Sequence, residues 1–364
     1  GELRQRYGAS SVLLTDSGTS ALVIALRALI PAGGTIAYPA YACIDLTAAA
    51  LCAGVRVRLY DVDPMTLSPD LDSVRRAIAR GVDAIVVAHL YGYPADVNAV
   101  QNLAREHGIL VIEDAAQAAG GQLGGSLLGG LSDVSILSFG RGKGTTAGSG
   151  GAVLARTPPI ATRIDAMGEG LGAGSRGGRE VITLAAQWLL ARSELYRLPA
   201  SLPGLRLGEM VFHAAGEPRP LSSTAAAILP SALSMDEREL AQRRNRANEL
   251  LGILRTAGGR LTPVHPVLGG EPGFLRLPFL DAIGDAAPNA SIGAMRGYPL
   301  TLDQHDQLRP ILAAGERAGS GAQRLRDRLF TAPTHSRVSN ADVRRFQQWV
   351  ERLDSPVRLG VLAT

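Results

Sequence analysis

Between residues 20 and 156 the chain alternates stretches that read as helices with short apolar runs that read as strands, and this alternation restricts its fold more than any other feature. Residues 20–30 form an alanine- and leucine-rich helix, with Ser17, Gly18 and Thr19 before it as capping candidates. A strand at 35–38, a helix over Asp45–Ala53 and a strand at 55–60, where Val and Arg alternate, follow. Next come a helix at 69–80, a buried strand at 83–89 (DAIVVAH), an amphipathic helix at 96–107 and a strand at 108–114 (GILVIED). Residues 134–139 (VSILSF) and 151–156 (GAVLAR) add two strands. Strands alternating with helices of about 10–15 residues predict an α/β fold: a mostly parallel sheet with helices on both faces.

Residues 120–151 carry 12 glycines in 32 positions, so loops rather than helices join this part of the sheet. Residues 168–178 are glycine-rich again and read as a linker or a mobile substrate lid. A helix at 180–197 carries the run ITLAAQWLLA, a core or dimer contact or a membrane-surface face. Residues 222–254 read as a long helical segment, or as two helices broken near Pro230. Short strands (273–277), proline-rich turns and a final helix at 340–353 suggest a smaller C-terminal α+β domain. The expected division is therefore 1–215 as the large α/β domain and 216–364 as the helical segment plus the smaller domain.

A length of 364 residues suits two domains. With 46% apolar and 19% charged residues the chain is not disordered over most of its length. Its longest apolar stretches, such as 21–30 with Arg27 inside it, fall short of the roughly 20 residues of a membrane span, and no secretory leader is expected. Two cysteines, Cys43 and Cys52, make no disulfide framework and fit reduced thiols in the cytoplasm. The net charge of +4 is spread along the chain. Its nearest approach to a basic run, Arg243, Arg244 and Arg246 after Glu237 and Glu239, reads as the solvated face of a helix. Aromatics at 4% leave few stacking platforms, so no nucleic-acid role is expected.

The chain holds 36 arginines and a single lysine, Lys143. Arginine cannot replace lysine where a neutral primary amine must attack a carbonyl, because guanidinium stays protonated and delocalised. Lys143 therefore either survives by chance or does chemistry, and its position bears on which. It follows the strand VSILSF in a glycine-rich turn. In an open parallel sheet, ligands bind beyond the carboxyl ends of the strands, and two further features fall there. Ser17-Gly18-Thr19 opens a helix, where free N–H groups and the dipole favour a phosphate, although such sequences also serve simply as caps. Asp114 closes an apolar strand, as a helix cap or as the partner of a ligand cation. A phosphate-binding loop of the G-x-x-x-x-G-K-[ST] type is excluded, since Leu137 and Gly144 stand where Gly and Ser or Thr are needed. No G-x-G-x-x-G joins the first strand to its helix. A phosphate cradle, a strand-end aspartate and a lone lysine are together what pyridoxal phosphate requires.

The chain resembles the sugar aminotransferases of the DegT–StrS type, a branch of the fold-type I pyridoxal phosphate enzymes. The resemblance rests on SGTSAL (17–22), HLYGYPAD (89–96), EDAAQA (113–118), SFGRGK (138–143) and GSGGAVLA (148–155), with Asp114 and Lys143 29 residues apart. Tyr38-Pro39-Ala40-Tyr41 and the closing 333–343 segment extend it over nearly the whole chain. It implies that Lys143 binds the cofactor covalently and shuttles a proton, and that Asp114 keeps the ring nitrogen protonated. Gln117 is implied at the 3-hydroxyl side of the ring, and Gly18, Thr19 and Ser138 at the phosphate. The family commonly has an aromatic at the position of Cys43; either Cys43 or Tyr41, the one aromatic within reach, is expected over the ring face. His89 is either a substrate or supporting contact or a satisfied core histidine, and Arg141 and Arg219 are candidate contacts for a diphosphate or a donor carboxylate. No metal is expected.

Two departures accompany the resemblance. The family's N-terminal arm, before the helix that begins near Glu2, is expected to be missing. The family's Asn-aromatic-Arg-Met segment, whose Asn reaches the partner subunit's cofactor, is replaced by Glu217-Pro218-Arg219-Pro220-Leu221-Ser222. The function so implied is a homodimeric aminotransferase moving an amino group from glutamate or glutamine to a keto-sugar, in the nucleotide-linked form that the family suggests, for amino-sugar biosynthesis. Other pyridoxal phosphate reactions (lyase, dehydratase) and a non-catalytic regulatory homologue are the alternatives; Lys143 argues against dehydration, where relatives carry histidine instead.

Overall fold

The computed structural model describes residues 1–178, 181–182, 184–185 and 212–354. A short helix α1 (Glu2–Tyr7) leads into β1 (Ser11–Thr15) and α2 (Gly18–Leu29). Then β2 (Thr35–Pro39), α3 (Asp45–Ala53), β3 (Arg56–Tyr60), α4 (Leu71–Ala79), β4 (Ala84–Ala88), α5 (Val97–Arg105) and β5 (Leu110–Asp114) alternate along the chain. Two short strands, β6 (Gln122–Leu123) and β7 (Ser126–Leu127), precede β8 (Val134–Ser138), β9 (Gly151–Ala155) and α6 (Pro158–Glu169).

The main sheet has seven strands in the order β1-β9-β8-β5-β4-β2-β3. Its pairings are parallel except that β9 runs against both neighbours, β8 and β1. The central strands read as unbroken apolar runs because both of their faces are covered. Successive side chains point to opposite faces, and the cores divide accordingly. Ile36, Tyr38, Ala84, Val86 and Ile112 pack with α2 in one cluster. Ala37, Ile85, Val87 and Val111 pack with Val74 and Ile78 of α4 and Val97 and Val100 of α5 in another. Ser17, Asp70 and Asp96 cap α2, α4 and α5 by accepting the N–H of Ser20, Ser73 and Ala99.

The later part of the chain contributes α7 (Ser223–Ser234), α8 (Asp236–Thr256), β10 (Leu261–Pro263), β11 (Gly270–Glu271), β12 (Arg276–Asp281) and β13 (Met295–Arg296). It closes with α9 (Ser320–Arg328), β14 (Leu329–Pro333) and α10 (Asn340–Asp354). An antiparallel sheet β10-β12-β14-β13 lies under α10, held by Phe279, Phe330, Phe346 and Trp349, whose ring centroids sit 5.9–6.3 Å apart.

Four expectations are corrected. The strand β1 was not foreseen: it lies at the sheet edge, has β9 as its strand neighbour among the described residues and is partly exposed, so it shows no strong pattern. The helical segment breaks at Met235 and not near Pro230, which lies inside α7 on an exposed face, where the carbonyl it leaves unpaired can reach water. The strand expected at 273–277 runs over Arg276–Asp281. Arg243, expected on a solvated face, is only 5% exposed. Most of the helix expected at 180–197 lies outside the described residues.

Candidate active site

The features singled out in the sequence converge because the sheet aligns their strands. Asp114 is the last residue of β5 and Ser138 the last of β8, while Ser17 links β1 to α2 and Cys43 lies between β2 and α3. Lys143 lies in the loop from β8 to β9. These carboxyl ends open onto a cavity of about 350 Å³. Gly18, Thr19 and Ser138 line it, as do Cys43, His89, Asp114 and Gln117, and the β8–β9 loop adds Lys143 and the exposed Arg141.

The start of α2 approaches β8 so closely that a Cβ on Gly18 would lie 2.7 Å from the Ser138 Cβ. Glycine alone allows this approach, which brings the Ser138 hydroxyl beside the first turn of a twelve-residue helix. Ser17 caps the Ser20 N–H, so the earlier N–H groups and the helix dipole are available to an anion.

Asp114 is 8% exposed and accepts the Ala116 N–H at 3.0 Å. Burial pushes its carboxyl above its ordinary range, opposed by the Ala116 N–H and the charge of Lys143. Lys143 itself is half-buried. A buried carboxylate whose charge is incompletely compensated favours a cationic N–H from a ligand. The Gln117 amide is held at both ends: its Oε1 accepts the Tyr91 N–H at 3.0 Å and its Nε2 donates to the Tyr298 hydroxyl at 2.6 Å. One Nε2 hydrogen is left over.

Cys43 lines the cavity, and burial, with Asp45 beside it, pushes its thiol up to about 12, so the sulfur stays protonated. Tyr41 stands apart from the cavity. It is fully buried, its hydroxyl accepts the Tyr298 N–H at 2.7 Å and its ring packs 5.2 Å from that of Tyr298. His89 reaches the wall, but protein groups take both ring nitrogens: Nδ1 accepts the Ala95 N–H, so Nε2 carries the proton and donates to Glu113 at 2.9 Å. Arg219 is exposed and joins the rim through its backbone, its carbonyl accepting the Asp16 N–H.

Glu113 was not foreseen. Fully buried, it accepts the His89 Nε2–H and the N–H groups of Gly129, Leu131 and Ser132, which fixes the loop before β8. Its sign in the sequence was a second carboxylate at the end of an apolar strand. Burial alone would raise it, but the His89 hydrogen bond and the N–H donors hold it below its ordinary 4.5. Such a carboxylate adds stability above that value and loses it as pH falls through the folded value. Glu113→Gln, which turns one acceptor into a donor facing N–H groups, is expected to cost about 2–4 kcal/mol in urea unfolding. It should also flatten the loss of stability below pH 4.5.

A sheet that is parallel but for one reversed strand thus carries a buried aspartate at the end of β5 and a lysine on the loop after the neighbouring β8. The chain belongs to the DegT/DnrJ/EryC1/StrS aminotransferase family, whose model matches residues 1–350. It is 32% identical over 255 residues to the L-glutamine:2-deoxy-scyllo-inosose aminotransferase of Streptomyces lividus, covering 69% of this chain and 54% of that protein. It is 39% identical over 140 residues to the UDP-N-acetyl-3-dehydro-alpha-D-glucosamine 3-aminotransferase of Acidithiobacillus ferrooxidans, covering 38% of each. The chain thus spans about half or less of the length of these curated relatives. In fold it is similar to the crystal structure of S. venezuelae DesV, with TM-score 0.76, 22% identity and coverage of 98% of this chain and 88% of that one. DesI, solved in the presence of its TDP-sugar product, gives TM-score 0.74 at 19% identity, covering 98% and 83%.

The cavity suits the family's cofactor. Gly18 brings a helix N-terminus against the Ser138 hydroxyl, a pairing that can receive a phosphate, Asp114 offers an undercompensated carboxylate, and Lys143 supplies a primary amine.

Proposed function

We propose that the protein is a pyridoxal phosphate-dependent aminotransferase that passes an amino group from glutamate or glutamine to a keto-sugar, carried on a nucleotide diphosphate. The observation that carries this is the meeting of the chain's one lysine with a buried strand-end aspartate in a single cavity. The names of the relatives, which include an inosose, a UDP-sugar and a dTDP-sugar aminotransferase, support the acceptor class.

Bound there, the cofactor supplies a carbonyl for the donor amine and a ring that takes up electron density. Lys143 Nζ would hold it covalently and, once released, move a proton from the donor Cα. Asp114 would keep the ring nitrogen protonated. The Gly18 and Thr19 N–H groups and the Ser138 hydroxyl would receive the phosphate, and Gln117 would offer its remaining N–H to the 3-oxygen. Cys43 would cover a ring face as a neutral thiol, in place of an aromatic side chain. Arg141, exposed at the rim, is suited to an acceptor diphosphate or a donor carboxylate; Arg219 would need to turn its side chain inward to share that role, and His89 supports the wall. A homodimer with shared sites and a cytoplasmic location complete the reading, supported by the family resemblance and by two free cysteines. Among the described residues no helix is long and apolar enough to cross a membrane.

The test is the absorbance of the purified protein with pyridoxal phosphate. A yellow band that bleaches on adding glutamine or glutamate, with the amine then recovered on a keto-sugar, is the expected result. A band that no amino donor bleaches would refute amino transfer.

A further inference from the structure

The helix α8 turns one stripe of its surface toward the site. Asp236, Leu240 and Arg243 are four and three residues apart and so share a face. Asp236 accepts the Thr145 hydroxyl at 2.6 Å, two residues beyond Lys143. Leu240 lies against Gly120, whose Cβ would come within 3.3 Å of it.

Arg243 does more. Its Nη2 donates to the Ala119 carbonyl at 2.9 Å, its Nε to the Gly273 carbonyl at 3.1 Å and its Nη1 to the Gly144 carbonyl at 3.4 Å. The three segments behind these carbonyls already touch. A Cβ on Gly144 would sit 2.5 Å from the Ala119 Cα, and one on Gly273 would sit 2.4 Å from the Ala118 oxygen. Ala119 is held at φ 52°, a left-handed conformation costly for a residue with a Cβ. Converging carbonyl dipoles repel one another, and each would lack a partner without a donor. A planar guanidinium satisfies several at fixed angles, which an ammonium or an amide cannot do. Burial lowers the affinity of Arg243 for its proton, a cost of holding a cation there.

We propose that Arg243 is a positioning residue for Lys143: by gathering the Ala119, Gly144 and Gly273 carbonyls it fixes the lysine loop against the turn that carries Gln117. This deepens the function proposed above and rests on Lys143 being the cofactor's lysine. Its effect passes through backbone, since Arg243 is not among the residues lining the cavity.

Because Lys143 is the one lysine, modification by an amine reagent, located by peptide mass spectrometry, follows this side chain without any cofactor. In Arg243→Gln the modification rate is expected to change at least about threefold and the affinity for pyridoxal phosphate to fall about tenfold to a hundredfold. The pH midpoint of the bound cofactor's absorbance, which global stability does not move, should shift as well. Gly144→Ala, which pries the same segments apart while keeping the Arg243 side chain, should reproduce these changes. Arg244→Gln, on the same helix but paired with Glu271, should leave all of them as in the unmodified chain. Wild-type values in Arg243→Gln would overturn the proposal; if that variant does not fold, wild-type values in Gly144→Ala would do so. A wild-type protein that binds no pyridoxal phosphate would defeat the functional reading instead, while the labelling comparison would still decide whether Arg243 holds Lys143.

Discussion

Lys143→Ala is expected to lower amino transfer at least about a thousandfold, since under the proposed function it removes both the covalent anchor for the cofactor and the group that moves the proton. Lys143→Arg should fare no better, because guanidinium keeps its proton and cannot attack a carbonyl. The chain makes the experiment clean. It carries no second lysine to substitute, and no hydrogen bond or ion pair of the Lys143 side chain ties down the structure among the described residues. The urea midpoint should therefore stay near that of the unmodified protein. Kinetics and circular dichroism on the same samples check both halves, and a folded Ala variant with full turnover would remove Lys143 from the mechanism.

Asp114→Asn is expected to pull activity and stability in opposite directions. Without the carboxylate the ring nitrogen would lose the partner that the proposed function gives it, and turnover should fall about a hundredfold or more. The cofactor-free protein should nevertheless become more stable at neutral pH. The folded value of Asp114 lies above its ordinary 3.8, chiefly through burial. A carboxyl raised in this way contributes stability below its unfolded value and loses it as pH rises through the folded value, so at pH 7 its charge strains the empty site. Asparagine keeps the acceptor for the Ala116 N–H without that charge. Thermal unfolding from pH 3 to pH 8 should show the gain of the Asn variant at neutral pH and its disappearance in acid. A less stable Asn variant at neutral pH would contradict this account. Sites built to bind charge commonly carry such a cost.

Much of this site could be read in the sequence because its parts sit at strand ends. Strands buried on both faces read as apolar runs, and the residues that end them are then conspicuous. Asp114 after GILVIE and Lys143 after VSILSF stand out for that reason. Where burial is partial or the determinant is three-dimensional, the sequence says less. β1 is an edge strand of five residues and was missed. Tyr41 could be recognised as the nearest aromatic, but not as a side chain turned to the Tyr298 N–H. His89 left two readings open, and only the partners Ala95 and Glu113 decide where its nitrogens point. Arg243 was masked by its neighbours: in a run rich in charge, one arginine that faces inward looks like the others. The apolar residues Ala247, Leu250 and Leu254, which continue its stripe into the core, were the available sign.

The edge position of β1 has a consequence for how the site comes into being. Among the described strands β1 pairs with β9, Ser11 opposite Ala155 and Thr15 opposite Gly151, and Thr15 also bridges Pro220. When β1 leaves the ribosome neither partner has been made, and it waits through the synthesis of the five parallel strands. The turn after β1, Ser17-Gly18-Thr19, is therefore held beside Ser138 by the completed sheet only once the chain has passed residue 155. Closing so long a loop adds little to the free-energy cost but delays the event. Capture of a phosphate at this turn would thus report that the sheet is complete, and a cofactor present during synthesis would select chains whose last edge has closed.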